Sequence, residues 1–360
     1  MNISPSLTQT LHTAWQKKGL ISTLLWPASW IARAFIARKR LRYQRDPGLA
    51  YHSRLPVIIV GNIYVGGTGK TPVVVALAQS LQARGWHPGV VSRGYGVQVG
   101  DKARTGQGQL DPALFGDEPA LIAQATGCPV AVHPNRPLAL KRLQRDYPQV
   151  DVVIADDGLQ HLALGRDLEI VVQDGRGTGN GRVLPAGPLR EPASRLEYVD
   201  VIITNTQPNE PAPKRLNTLA RQLTMQLAPV SVTQLSTGTT LEWNAWRSAH
   251  GHRTVSAVAA IGQPERFFAM LAAAGLQLNQ TVALPDHDRY DTSPFSALSD
   301  PNILITRKDA VKCLHFNDPR LWVVHAEPVF SDADWIDHIH EMLRVIAQQK
   351  SAMADKRPRH

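Results

Sequence analysis

At 360 residues, with 43% hydrophobic and 19% charged residues, the chain has the composition of an ordinary globular protein, excludes an intrinsically disordered one, and is long enough for two domains. Its two cysteines, Cys128 and Cys313, lie far apart without metal-ligand spacing, so neither a disulfide framework nor a zinc site is indicated and a reducing compartment is the simplest home. The net charge of +9 belongs to one end: residues 1–45 hold eight Lys and Arg and no acid, leaving 31 basic and 30 acidic residues in the other 315, which argues against a nucleic-acid partner.

The first element in chain order is the apolar stretch 20–37, followed by the basic run Arg38 to Arg45. As a helix its eighteen residues span ~27 Å, short of the ~30 Å hydrocarbon core of a bilayer, and Ser22, Pro27, Ser29 and Arg33 weaken it further as a spanning segment. Trp26 and Trp30 suit headgroup depth, and each nearby cation adds at most about 1 kcal/mol of attraction to an anionic leaflet. Three readings stay open: an interfacial or re-entrant anchor, a short transmembrane helix, and a buried amphipathic helix of a soluble enzyme.

Next, the apolar run 56–60 leads into Gly61-Asn-Ile-Tyr-Val-Gly-Gly-Thr-Gly-Lys-Thr-Pro72 and a helix-like stretch over 72–84. A strand, a glycine-rich turn and a helix in that order form a phosphate cradle. Backbone N–H groups of Gly66, Gly67, Thr68 and Gly69 close on the oxygens, Lys70 adds charge, and Thr71 offers a hydroxyl to magnesium. Tyr64 stands where the pattern G-x-x-x-x-G-K-[ST] has its first glycine, so this is a variant P-loop. Such a loop needs cytosolic nucleotide, which argues against a cleaved signal peptide at the amino terminus.

Further apolar runs at 88–92, 129–132, 151–155, 168–172 and 199–203 predict buried strands, and 112–126 and 136–146 predict helices between them. That alternation implies an α/β fold, a parallel sheet with helices on both faces and sites at the carboxyl ends of the strands. Residues 206–216 predict a connector followed by a helix-like stretch, and 229–235 and 241–246 a hairpin joining two domains. Strands near 254–261, 302–306 and 322–326 with helices at 264–274 and 332–348 predict a second, smaller α/β domain. The expected boundaries are 1–45 for the anchor, 46–225 for the P-loop core, 226–250 for the hairpin, 251–350 for the second domain and 351–360 for a polar, disordered tail.

Several residues carry candidate chemistry. Asp156 and Asp157 end the strand 151–155, and carboxylates so placed beside a P-loop hold magnesium directly or through water. His161 follows four residues later and is a candidate to line the same cleft, against a structural histidine as the competing reading. Asp117, with Glu118, opens a helix and suits a general base that takes the proton of a substrate hydroxyl; helix capping is the competing reading. Arg93 after a strand, and Arg176, Arg182 and Arg190 in the glycine/proline loop 175–192, suit phosphate recognition, against solvated loop arginines. His287, in Pro285-Asp-His-Asp288, is a further candidate to tune a base.

The segments GNIYVGGTGKTP, SRGYG, GDEP, DDGLQH, GNGRVLPAGPLREP, GQPERFF, PDHD and TRKDAVK occur in the order that identifies a member of the tetraacyldisaccharide 4′-kinase family of lipid A biosynthesis, over about residues 15–345. The resemblance implies a P-loop core, a second α/β domain joined by a β-hairpin, and a monotopic anchor at the cytoplasmic face of the bacterial inner membrane, peripheral or single-pass. It implies ATP and Mg²⁺ as cofactors and transfer of the γ-phosphate to the 4′-hydroxyl of a tetraacylated glucosamine disaccharide 1-phosphate. Its partners are that lipid A precursor and an anionic membrane surface, with no obligate protein partner. It places the catalytic base on Asp117, supported by His287, and nucleotide and metal handling on Lys70, Thr71, Asp156 and Asp157. Asp288 and Arg307 depart from the family pattern, at positions outside those roles. Two other classes compete: a P-loop ATPase or GTPase switch, for which Thr306-Arg-Lys-Asp309 resembles a base-specificity motif only superficially, and a nucleotide-binding membrane scaffold.

Overall fold

The computed structural model of the chain describes Trp15 and residues 17–208, 210–286 and 288–355, which divide into two compact units. The first comprises residues 1–204, 213–224 and 331–360, as far as they are described. After helices α1 (Leu20–Leu24) and α2 (Trp26–Arg45) it alternates strands and helices: β1 (Val57–Gly61), α3 (Lys70–Ala83), β2 (Pro88–Ser92), β3 (Arg104–Gly106), α4 (Pro112–Phe115), α5 (Asp117–Thr126), β4 (Val130–Val132), α6 (Arg136–Asp146), β5 (Val152–Asp156), β6 (Leu168–Asp174) and β7 (Val201–Asn205). The strand order is β7-β6-β1-β5-β2-β4-β3. β1 pairs in parallel with both β5 and β6, β2 in parallel with β5 and β4, and β3 alone runs antiparallel at the edge.

Central strands covered on both faces have no polar side to show, and Val57–Val60 and Val152–Ala155 are fully buried. Each Val and Ile among them contributes about 1.5–3 kcal/mol relative to exposure. α3 buries Val73, Val74, Leu77, Ala78 and Leu81, one face at helical spacing. The core gathers beneath the carboxyl ends of β1 and β5, which is what fixes the loops leaving them.

In the second unit (205–212 and 225–330), β8 (Arg221–Gln234, which begins in the first unit), β9 (Thr240–Glu242), α7 (Trp243–His250), β10 (Val255–Ala259), α8 (Pro264–Ala273), β11 (Leu278–Ala283), β12 (Asn302–Thr306), α9 (Arg307–Cys313) and β13 (Leu321–Phe330) follow. Its strand order is β11-β10-β12-β13-β8, with β9 on β8. β10, β11, β12 and β13 run parallel and β8 antiparallel to β13. α10 (Trp335–Asp355) returns to the first unit.

Several expectations are corrected. Residues 112–126 are two helices, because Gly116 breaks the run at φ 92°. The helix-like stretch after 216 is the strand β8: ladder pairing with β13 overrides local propensity. The hairpin exists as β8–β9, its paired residues 231–233 and 240–242 in the second unit while β8 itself begins in the first, and Trp243 starts a helix where a strand was expected over 241–246. The helix expected over 332–348 does not belong to the second domain; Trp335 is fully buried, Asp337 pairs with Arg84, and Lys350 pairs with Asp167 at 2.6 Å. Residues 351–355 continue that helix rather than starting a disordered tail. The stretch 20–37 is split at Leu25, and among the described residues no helix is long and apolar enough to cross a membrane.

Gly61 closes β1 against the turn after β5: a Cβ there would sit 2.7 Å from Leu159 Cβ and 3.2 Å from its backbone nitrogen. Gly61→Ala is therefore expected to cost about 1–3 kcal/mol of overpacking, read as a lowered urea midpoint at unchanged m-value.

Candidate active site

The loop leaving β1 is folded around one amide. Buried Asn62 donates from Nδ2 to the carbonyl of Gly66 (3.1 Å) and to Thr68 Oγ1 (3.3 Å). Gly66 and Gly69 take left-handed backbone, at φ 98° and 92°, and Gly69 caps α3, whose first residues are Lys70 and Thr71. The free N–H groups of that helix end and its dipole make an anion site. Tyr64 is absent from the residues with positive φ, so glycine is not required there. Its ring is buried and carries the Arg176 guanidinium 4.3 Å above its centre.

Residues 174–191 brace the loop from outside. Arg176 pairs with buried Asp174 (2.6 Å) and donates to the carbonyl of Gly67 (3.1 Å). Val65 N–H donates to the carbonyl of Pro188 (2.9 Å) and Arg190 N–H to that of Ile63 (2.7 Å). Gln160 donates both to the carbonyl of Asn62 (2.9 Å) and to Glu191 (2.8 Å).

β5 ends beside this loop with two carboxylates in opposite environments. Asp156 is buried; Ser92 donates to its Oδ2 (3.1 Å), while Oδ1 is buried with no hydrogen-bond partner among the described residues. Burial first, and then the Glu118 carboxylate, push its proton affinity up, against Lys70 and Arg136. Asp157 turns the chain at φ 48°, a left-handed conformation that Asp tolerates better than most residues. Burial acts on it too, yet Lys70 (3.4 Å) and Arg190 (3.1 Å) outweigh it and hold Asp157 below the usual carboxylate range. Two neighbouring carboxyl groups driven apart in this way mark a site built for charge handling.

Arg136, read from sequence only as a helix start, is buried and donates to the backbone carbonyl of Asp156 (3.0 Å). Its backbone N–H meets His161 Nε2 at 3.3 Å. Burial, then Arg136 and Lys39, lower the His161 pKa to about 4, so the ring is neutral at physiological pH and its Nε2 is an acceptor. Only the position of Arg136 at the carboxyl edge of β4 hinted at this role. Arg93 lies within electrostatic reach of Arg136 and His161.

Asp117 and Glu118 open α5 at the surface. Gly116 before them approaches the Ser92–Gly96 loop so closely that a Cβ would sit 3.0 Å from the carbonyl of Tyr95. Glu118 senses Asp156 electrostatically, which ties this helix start to the carboxylate pair.

Not every candidate joins this cluster. Arg182 donates to Ser22 Oγ (3.1 Å) and stacks over Trp26 (4.8 Å), so it serves the amino-terminal helices rather than the cleft. His287 lies outside the described residues. Asp309, in the stretch resembling a base-specificity motif, is fully buried in the first turn of α9, where the N-cap Thr306 Oγ1 accepts from its N–H (3.2 Å) and donates to its Oδ2 (2.6 Å).

The residues fit a magnesium–nucleotide complex. Thr71 stands on the helix turn after the glycines, and the unpartnered Asp156 Oδ1 is a carboxylate oxygen in want of a cation or water. Among the described residues no three His, Cys, Asp or Glu side chains converge on one point, so phosphate oxygens and water would complete the coordination.

A family model described as tetraacyldisaccharide-1-P 4′-kinase (LpxK) matches residues 21–344. The chain is 50% identical to a tetraacyldisaccharide 4′-kinase of Bordetella petrii over 350 residues, covering 96% of this chain and 99% of the relative. It is 52% identical to one of Bordetella parapertussis over 344 residues, with the same coverage. In fold it is similar to the crystal structure of LpxK from Aquifex aeolicus in complex with ATP, with TM-score 0.74 and 24% identity, covering 90% of this chain and all of that one.

His161 supplies a pH test. The unfolded chain protonates this residue near its ordinary value of 6.5 and the folded protein only near 4. Between those values the unfolded state binds more protons, so stability falls as pH drops through the window and is complete above it. Urea midpoints taken across this window should fall less steeply in His161→Asn than in the wild type; parallel profiles would contradict the assignment.

Proposed function

The chain belongs to the tetraacyldisaccharide 4′-kinase family, and from that premise and the geometry of its loop we infer an ATP-dependent kinase that phosphorylates the 4′-hydroxyl of a tetraacylated disaccharide 1-phosphate in lipid A biosynthesis. One observation carries the reading: Lys70, at the helix start that follows the glycine-rich turn, places its Nζ 3.4 Å from Asp157 Oδ1, one of the two carboxylates at the end of the neighbouring strand.

Each residue then has a task. Backbone N–H groups of Gly66–Gly69 and the Lys70 ammonium hold the ATP phosphates. Thr71, Asp156 and Asp157 would hold Mg²⁺, which when bound neutralises developing phosphate charge. Arg190 keeps Asp157 ionised and aimed, and neutral His161 with Arg136 fixes the turn that carries both carboxylates. Asp117 takes the proton of the 4′-hydroxyl as its oxygen bonds to the γ-phosphorus and the bond to the departing ADP breaks. Arg93 and Glu118 flank that path. His287 keeps, as a proposal, the supporting role that the family resemblance gives it.

The substrate also determines where the enzyme works. Four acyl chains leave a bilayer at a cost of ~0.8 kcal/mol per CH₂, so the cleft must go to the lipid. α1 and α2 support this with Leu20, Leu24, Trp30, Ile31 and Phe35 all more than half exposed, beside the basic run Arg38 to Arg45. The reading is a monotopic enzyme on an anionic surface, at the cytoplasmic face of the inner membrane where ATP is available.

Incubation with γ-labelled ATP and the disaccharide 1-phosphate is expected to place one label at the 4′ position per ADP formed; release of free phosphate alone would favour an ATPase switch. Asp117→Ala should lower turnover by roughly 10²- to 10⁴-fold with ATP binding retained, and near-normal turnover would remove the base assignment. Trp30→Ser with Phe35→Ser should reduce co-sedimentation with anionic vesicles while the isolated protein stays folded by circular dichroism.

A further inference from the structure

The amino-terminal helices expose most of their large apolar side chains and bury two serines, with Ala32 and Ile36 packed inward on the core. Ser22 and Ser29 are each 1% exposed, an inversion of the usual surface helix. Ser29 Oγ donates to the carbonyl of Val183 (2.7 Å) and accepts from Ala186 N–H (2.9 Å). Ser22 Oγ donates to the carbonyl of Ala186 (2.6 Å) and accepts from Asn180 Nδ2 (2.9 Å) and Arg182 (3.1 Å). Both serines therefore end on the segment 180–190.

That segment is cross-linked within itself. Leu184 N–H donates to the carbonyl of Leu189 (2.9 Å), Leu189 N–H to that of Arg182 (3.2 Å), and Asn180 Nδ2 to that of Ala186 (2.9 Å). A Cβ on Gly187 would collide with the carbonyl of Arg182 and with Asn180 Oδ1, so the turn has no slack. Its far end holds the phosphate loop: Val65 N–H bonds to the carbonyl of Pro188 and Arg190 N–H to that of Ile63. The helix face and the nucleotide loop are thus two ends of one stiff, buried, hydrogen-bonded body. Breaking a buried pair strands its partner without water, so the docking resists gradual slippage.

We propose that Ser22 and Ser29 are positioning residues for the phosphate-binding loop, acting through the strut 180–190, so that the seating of the membrane-facing helices and the shape of the ATP site are set together. The proposal rests on the nucleotide-binding reading above. A helix that served only to recruit the enzyme to lipid would leave ATP affinity untouched when its inner face is altered.

The test is calorimetric titration of ATP into the full-length protein in detergent micelles, for wild type, Ser22→Ala/Ser29→Ala and Asn180→Ala. Asn180→Ala removes the bonds to Ser22 Oγ and to the carbonyl of Ala186 from the strut's side of the contact and alters no helix residue. Loss of buried hydrogen bonds predicts ATP binding weakened roughly fivefold or more in both variants, with the KM for ATP rising more than kcat falls. Co-sedimentation with anionic phospholipid vesicles should stay at the wild-type level. Wild-type ATP affinity in both variants, whatever happens to their melting temperatures, overturns the proposal. Failure of the wild type to bind ATP would instead remove the kinase reading.

Discussion

Two carboxylates in succession at the buried end of β5 cannot both stay charged unless cations come to meet them, and much of the first unit is arranged around that demand. Lys70 arrives from the start of α3, Arg136 from the start of α6 and Arg190 from the brace along the phosphate loop. Each cation fixes the element that brings it. Asp156 remains the less satisfied of the two, with one oxygen that no hydrogen-bond partner meets among the described residues. The same imbalance that would be a defect in a structural core is a binding site when the missing partner is a ligand.

The second organising feature is the reversed polarity of the amino-terminal helices. A docked serine face needs acceptors held in place. The loop 175–192 supplies those acceptors with backbone carbonyls, which a mobile glycine/proline loop cannot do unless it is pinned elsewhere. It is pinned at the phosphate loop, so the docking of the amino-terminal helices and the phosphate loop share one support.

The P-loop and its helix, the buried strands flanking it and the Asp-Asp strand end were legible because they rest on local rules: glycine at left-handed turns, apolar runs in doubly covered strands and amphipathic spacing in α3. Tyr64 looked like a departure from the motif, but the left-handed turn is taken at Gly66 and the ring packs beneath Arg176. The second half of β8 was legible as the strand expected over 229–235, but its first half read as helix because that stretch gains its extended state from ladder pairing with β13. Arg136 and Asn62 were missed since a buried arginine and a buried amide acquire their roles from partners far away in sequence. Arg182 was misplaced among cleft residues because charge in a glycine loop says nothing about which side of the loop it faces.

The sequence by itself determined the α/β class, the nucleotide loop and the concentration of charge and apolar residues at the amino terminus, since composition and short-range spacing suffice for each. Only the tertiary structure decided which carboxylate is held charged, that His161 is kept neutral, which side of the helices faces outward, and that α10 packs with the first unit. Those properties depend on distances between residues tens to hundreds of positions apart, and burial and Coulomb energies are set by such distances alone.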